Sequence, residues 1–152
     1  MTSNANSRQV AGTHYKTGYQ HWDFVWDMGL GYFPGQVTKY LSRYRKKNGM
    51  QDLEKALHFA HKYKELVSRN GSPRQEPRKM LNAWEAPLPA LYLREQGITD
   101  ADESEVVWAM SYGSHNYALV ARVVQCIERI MEKYKREESL AAEPGPGYTN
   151  QS

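Results

Sequence analysis

Cysteine is almost missing from this 152-residue chain: Cys126 stands alone. That excludes an intramolecular disulfide framework and a thiolate zinc cluster. Its neighbours Val124, Ile127 and Ile130 make it an inert thiol of the core. Long apolar runs are missing too. None approaches the roughly eighteen residues of a membrane-spanning helix, so no contact with membrane is expected. The amino terminus lacks the charged start, apolar run and cleavage site of a signal peptide, and a cytoplasmic protein is expected. No G-x-x-x-x-G-K-[ST] loop and no G-x-G-x-x-G fingerprint occurs, so any phosphate must be held by side chains and helix ends. No Ser–His–Asp or Cys–His arrangement is present. HExxH is absent as well. His58 and His61, three apart, would need further ligands, so no zinc and no resident metal site is expected. Phe is scarce, with three against eleven Tyr and four Trp. Amphipathic rings suit surfaces that are part apolar and part wet, including oligomer interfaces and sites that stack on a base.

What is present is concentrated positive charge. Residues 35–67 carry eight Lys and Arg against three Asp and Glu, while the whole chain is only +3. The rest is therefore net acidic, and residues 95–105 hold five acids and no base. A local basic site on a helix pair fits a nucleotide or another small phosphate-bearing partner. The modest total makes a large nucleic-acid footprint the weaker reading.

Hydrophobic periodicity predicts an all-α domain. A short helix is expected over residues 21–28, closed by Gly29 and Gly31. A second runs over 35–47, with Val37, Tyr40, Leu41 and Tyr44 on its apolar face. Asn48-Gly49 signals a left-handed cap. Asp52 then opens a third helix whose core face holds Leu53, Ala56, Leu57, Ala60 and Tyr63. The short connection makes these two an antiparallel hairpin. Residues 70–89, with four prolines, read as a linker or strap pinned by Trp84. Helices follow near 90–96 and 102–110, the latter capped by Asp100 or Thr99. The last helix carries Leu119, Val123, Ile127, Ile130 and Tyr134, a stripe suited to a bundle or to a twin subunit. Homo-oligomerisation through this helix is expected. His115 is expected to help cap its start. The organisation is thus a flexible 1–13, a helical module over 14–69, a strap over 70–89, a second module over 90–137 and a disordered tail over 138–152. FVWDM at 24–28 and VVWAM at 106–110 hint at a degenerate repeat.

Lys39, Arg43 and Lys46 follow at i, i+4 and i+7, and Lys55 faces them across the hairpin. Together they can converge on one phosphate. The ordinary alternative is a solvated helix face. His14-Tyr15-Lys16 form a second cluster; His can donate to a phosphate or base and Tyr can stack, or the cluster anchors a loop. Asp23 and Asp27 could hold magnesium through water and phosphate oxygens, or could be plain surface carboxylates. Asp52 sits beside the basic stripe and could orient it. Arg43→Ala is expected to weaken nucleotide binding without unfolding the chain.

THYKTGYQHWDFV, then GQVTKYLSRYRKKNG, then DLEKALHFAHKYKEL together resemble a family of small phage proteins that includes a podovirus nucleotide kinase without a Walker motif. The resemblance covers about residues 13–67. It implies a deoxynucleoside monophosphate kinase using ATP with magnesium, in the host cytoplasm. Carried over residue by residue, it implies catalytic roles for Lys39, Arg43 and Asp52. Nucleotide binding would fall to His14, Tyr15, Gln36, Lys39, Arg43, Lys46, Lys47 and Lys55. Gln36 departs from the family's asparagine, which alters its reach to a base or phosphate. A kinase must also exclude water and hold two nucleotides, which one helix pair does poorly and a subunit interface does better. Two alternatives stay open: a protein that sequesters a nucleotide or cyclic nucleotide against host defence without turnover, and an inhibitor of a host nucleic-acid enzyme.

Overall fold

Glycine and the charged caps set the helix boundaries. The computed structural model describes residues 18–70 and 80–142. Expectations placed on residues 1–13, on His14 and Tyr15, and on the last ten residues lie outside these. Among the described residues there are six α-helices, one 3₁₀ turn and no strand, so the all-α expectation holds. The helices are α1 (His21–Met28), α2 (Tyr32–Arg43), α3 (Met50–Asn70), α4 (Leu88–Gln96), α5 (Ala101–Ser111) and α6 (Tyr117–Ala142).

α1 starts with a capping box between Gln20 and Asp23 and ends at Gly29, whose φ of 62° only glycine adopts readily. α2 begins three residues earlier than the sequence suggested. Pro34 sits inside its first turn, where backbone N–H groups have no partner in any case. It also ends earlier: residues Tyr44–Lys46 form a 3₁₀ turn. Tyr44 is drawn into the core there, and Gly49 donates its N–H back to the Tyr44 carbonyl at 2.8 Å. α5 is capped by Asp100, which accepts from the Glu103 N–H as expected. In the strap, Trp84 is 65% exposed and pins nothing. The buried residue is Glu85, and the Asn82 side chain accepts from the N–H groups of both Trp84 and Glu85. α6 continues through residues 138–142, where a coil was expected. Leu140, Ala141 and Ala142 favour helix, and Glu137 pairs with Arg45 at 3.0 Å just before them.

α3 packs against α2 and α6, α5 packs on α6 and α2, and α1 packs with α4. Leu53, Ala56, Ala60, Tyr63 and Val67 of α3 meet Val120, Val123, Val124, Ile127 and Ile130 of α6 in one continuous core. The stripe expected to face a twin subunit is therefore spent inside the protomer. The two VVWAM-like segments share a burial pattern, with Phe24 and Met28 in one, and Val106 and Met110 in the other, turned inward. His115 is fully buried rather than a cap. Its Nε2 lies 2.8 Å from the Ala109 carbonyl, which can only accept, so Nε2 carries the proton. Nδ1 then accepts from the Tyr63 hydroxyl at 2.7 Å, tying α3 to the loop before α6. Among the described residues no helix is long and apolar enough to cross a membrane.

Gly49 is the tightest point. Its φ is 54°, and a Cβ there would lie 2.6 Å from the Tyr134 hydroxyl oxygen. Gly49→Ala is expected to cost about 1–2 kcal/mol for the left-handed backbone plus the clash. In urea denaturation, adding Tyr134→Phe should recover the clash portion and leave the backbone portion.

Candidate basic and aromatic site on the helix hairpin

On α2, Tyr32, Gln36, Tyr40 and Arg43 recur at helical spacing and share one face, with Lys39 beside Tyr40. On α3, Asp52, Lys55 and Phe59 do the same. The hairpin lays the two faces side by side. Tyr40 stacks parallel on Phe59 with centroids 5.8 Å apart, and Tyr32 meets Phe59 edge-on at 5.9 Å. Tyr32 is 63% exposed, so this aromatic floor opens to solvent. Three cations gather over the Tyr40 ring: Arg43 Cζ at 4.7 Å and the Nζ atoms of Lys39 and Lys55, each at 5.4 Å. The expected convergence of Lys39, Arg43 and Lys55 is thus present, with Tyr40 as its centre. Gln36 is half-buried one turn before Tyr40 on the same face.

The three cations are not equivalent. Arg43 forms a fork to Asp52, Nε to Oδ2 at 3.3 Å and the terminal nitrogen to Oδ1 at 3.2 Å. Asp52 has no exposed surface, and it also accepts from the backbone N–H of Asn48 at 3.2 Å and from its side-chain amide. Arg43 and Asp52 therefore satisfy one another. Among the described residues, no carboxylate lies within ion-pairing distance of Lys39 or Lys55.

Lys46 departs from the stripe, and Lys47, which the resemblance added to the site, lies away from it too. The 3₁₀ turn changes the rotation per residue, and both side chains are exposed. Lys47 lines a separate open cavity of about 700 Å³, with Asn48, Gly49, Met50, Tyr134 and Lys135 among its walls. His58 and His61 are exposed on α3, and His58 lies edge-on to Phe59 at 6.2 Å.

Sequence periodicity missed His21, which closes the α1 side. Its Nε2 lies 2.8 Å from the Thr38 hydroxyl, which itself donates to the Pro34 carbonyl at 3.0 Å. The hydroxyl proton is thus used, and His21 donates to Thr38. Burial, and then the Lys39 ammonium nearby, push the imidazole pKa down to about 4. Histidine is not periodic with any apolar stripe, so only the contact reveals it.

The other acidic clusters have hydrogen-bond or ion-pair partners of their own. Asp23 accepts from the Gln20 N–H at 3.0 Å and Asp27 from the Tyr19 hydroxyl at 3.1 Å. They line an open groove of about 430 Å³ with Leu88, Leu91 and Glu95 of α4. Asp102, Glu105 and Cys126 bring ligand atoms within 4.8 Å of one another. Arg129 and Lys133 hold Asp102, however, and Arg122 holds Glu105. Burial pushes the Cys126 thiol up to about 11, so it stays protonated.

Residues 11–61 match the model of a family described as a protein of unknown function, DUF3310. The match takes in α1, α2 and the first half of α3, about a third of the chain, and so every described residue around Tyr40. No curated protein and no solved structure matches the chain.

Two stability measurements test this geometry. Because the His21 pKa is depressed, the unfolded chain takes up a proton between pH 6.5 and about 4 that the native site refuses. Stability should fall as pH drops through that window, by about 2–3 kcal/mol from this group, and His21→Gln should flatten that part of the profile. Asp52→Asn should cost about 1–3 kcal/mol at neutral pH, since it leaves Arg43 without its anion. Chemical denaturation with circular dichroism reads both.

Proposed function

We propose that the α2–α3 face binds a nucleotide, with the phosphate over Tyr40 and the base toward Tyr32. The observation that carries this is the gathering of Lys39, Lys55 and Arg43 within 5.4 Å of one ring centroid, two of them without a carboxylate among the described residues. Two ammonium groups each 5.4 Å from one point are at most about 11 Å apart. They repel by about 0.4 kcal/mol even in bulk water. A phosphate placed between them turns that repulsion into attraction and accepts charge-assisted hydrogen bonds. From Tyr32 to Tyr40 is eight residues, about 12 Å of helix, a span comparable to a nucleoside monophosphate. The exposed edge of the aromatic floor supports stacking by any base.

Phosphoryl transfer from magnesium-bound ATP to a deoxynucleoside monophosphate is the activity the phage-family resemblance implies, and it is the second reading. The cationic cluster suits the charge on a phosphoryl group in flight. Asp52 suits it less, because its carboxylate is buried and committed to Arg43 and Asn48. Binding without turnover is the simpler use of the geometry.

Isothermal titration with each deoxynucleoside monophosphate and with ATP tests the binding. Lys39→Ala and Lys55→Ala should each weaken the best ligand at least about tenfold while the far-UV spectrum is unchanged. Unaltered affinity in both folded variants would remove the site. Arg43→Ala is the poorer probe than the sequence suggested, since it also strands buried Asp52 and should destabilise the fold. A coupled assay with ATP and each monophosphate separates kinase from sequestering protein. Steeply salt-dependent binding to DNA would redirect the face toward nucleic acid.

A further inference from the structure

α1 is a short helix with four distinct faces around its circumference. Phe24 and Met28 point into the core. His21 faces α2, where it reaches Thr38, the residue next to Lys39. Asp23 and Asp27 face the opposite flank and line the acidic groove with Glu95. Trp22 and Trp26, four residues apart, stand between the two flanks. Trp26 is 86% exposed and Trp22 52%. Tyr32, at the start of α2, is also exposed, at 63%.

The two tryptophan rings together expose on the order of 350 Å² of mostly apolar surface, within the range of the biggest patch on an ordinary monomer. The ridge divides a cationic flank from an anionic one. A two-fold axis lying in the contact plane, parallel to the ridge, sends each flank onto the opposite flank of the other copy. The ridges then meet along the axis, and cations meet carboxylates on both sides of it.

We propose that this face pairs with a second copy of the same chain, forming an isologous dimer through the Trp22–Trp26 ridge. Lys39 of each copy then faces the groove that Glu95 of the other copy borders. The charge complementarity selects this occupant: the surface is self-complementary under one rotation, as an isologous contact requires. The rings supply about half of the roughly 800 Å² per copy that a stable interface buries. The charged flanks supply the remainder. The α6 stripe cannot serve this purpose, because it lies in the protomer core.

Sedimentation equilibrium on the full chain, over a range of protein concentration and salt, tests the contact. The native chain should show a monomer–dimer equilibrium that weakens as salt rises. Trp26→Glu should raise the dimer dissociation constant at least about tenfold with an unchanged circular dichroism spectrum. Trp26→Ala, which adds no charge, should act in the same direction. Glu95→Lys and Lys39→Glu should each weaken self-association, and an equimolar mixture of the two should associate more tightly than either alone. A native chain that stays monomeric would overturn the proposal. So would a dimer indifferent to both Trp26 substitutions, or a mixture no tighter than its components.

Discussion

The buried pairing of Asp52 with Arg43 is the constraint on which the arrangement around the hairpin depends. A carboxylate with no exposed surface would cost several kcal/mol if left alone. It is held by a two-pronged guanidinium and by two donors from Asn48. Those four contacts fix the α2–α3 connection from both ends. Arg43 is the last residue of α2, Asn48 lies in the turn, and Asp52 is in the first turn of α3. The connection is then too short for a regular helix to continue. The chain tightens to 3₁₀ at Tyr44 and reverses at Gly49, whose hydrogen in place of a Cβ lets the Tyr134 hydroxyl approach. The hairpin register that follows puts Lys55 opposite Lys39 and Phe59 beneath Tyr40.

Among the described residues, two populations of positive charge stand apart. Arg45, Arg122, Arg129 and Lys133 sit against carboxylates of α5 and α6, so the acidic stretch after residue 95 is largely answered within the fold. Lys39 and Lys55 sit against a π face instead. Each cation over Tyr40 gains about 0.5–1 kcal/mol from the ring, less than a phosphate would offer. That difference is why the proposed ligand is assigned to the second population and not to the first. A count of charges in the sequence cannot separate them.

The helices were legible because their signals are local. Asp100 caps α5, Gly49 reverses the chain, and the 4-4-3-4 spacing on α6 marks its buried face. The gathering of Lys39, Arg43 and Lys55 followed from helical phase and a short turn, which are local too. What escaped needed three-dimensional neighbours. Tyr40 reads as a core residue by period, yet it is the platform of the site. Asp52 reads as a participant in chemistry, yet its burial and four donors make it a structural strut. Lys46 reads as one stripe with Lys39, until the 3₁₀ turn rotates it off. The stripe of α6 has the same pattern whether it meets a twin subunit or α3, and only the packing decides.

Lys39 belongs to two surfaces at once. It stands over Tyr40 at the cationic end of the aromatic floor, and it follows Thr38, which His21 of α1 holds. A phosphate over Tyr40 and a carboxylate from a second copy would draw on the same ammonium. Two anions cannot both be neutralised by one lysine, so occupancy of the floor and closure of the tryptophan ridge oppose each other to the extent that Lys39 contributes to each. Under the two proposals above, linkage makes the opposition reciprocal: the factor by which the ligand weakens pairing is the factor by which pairing weakens the ligand.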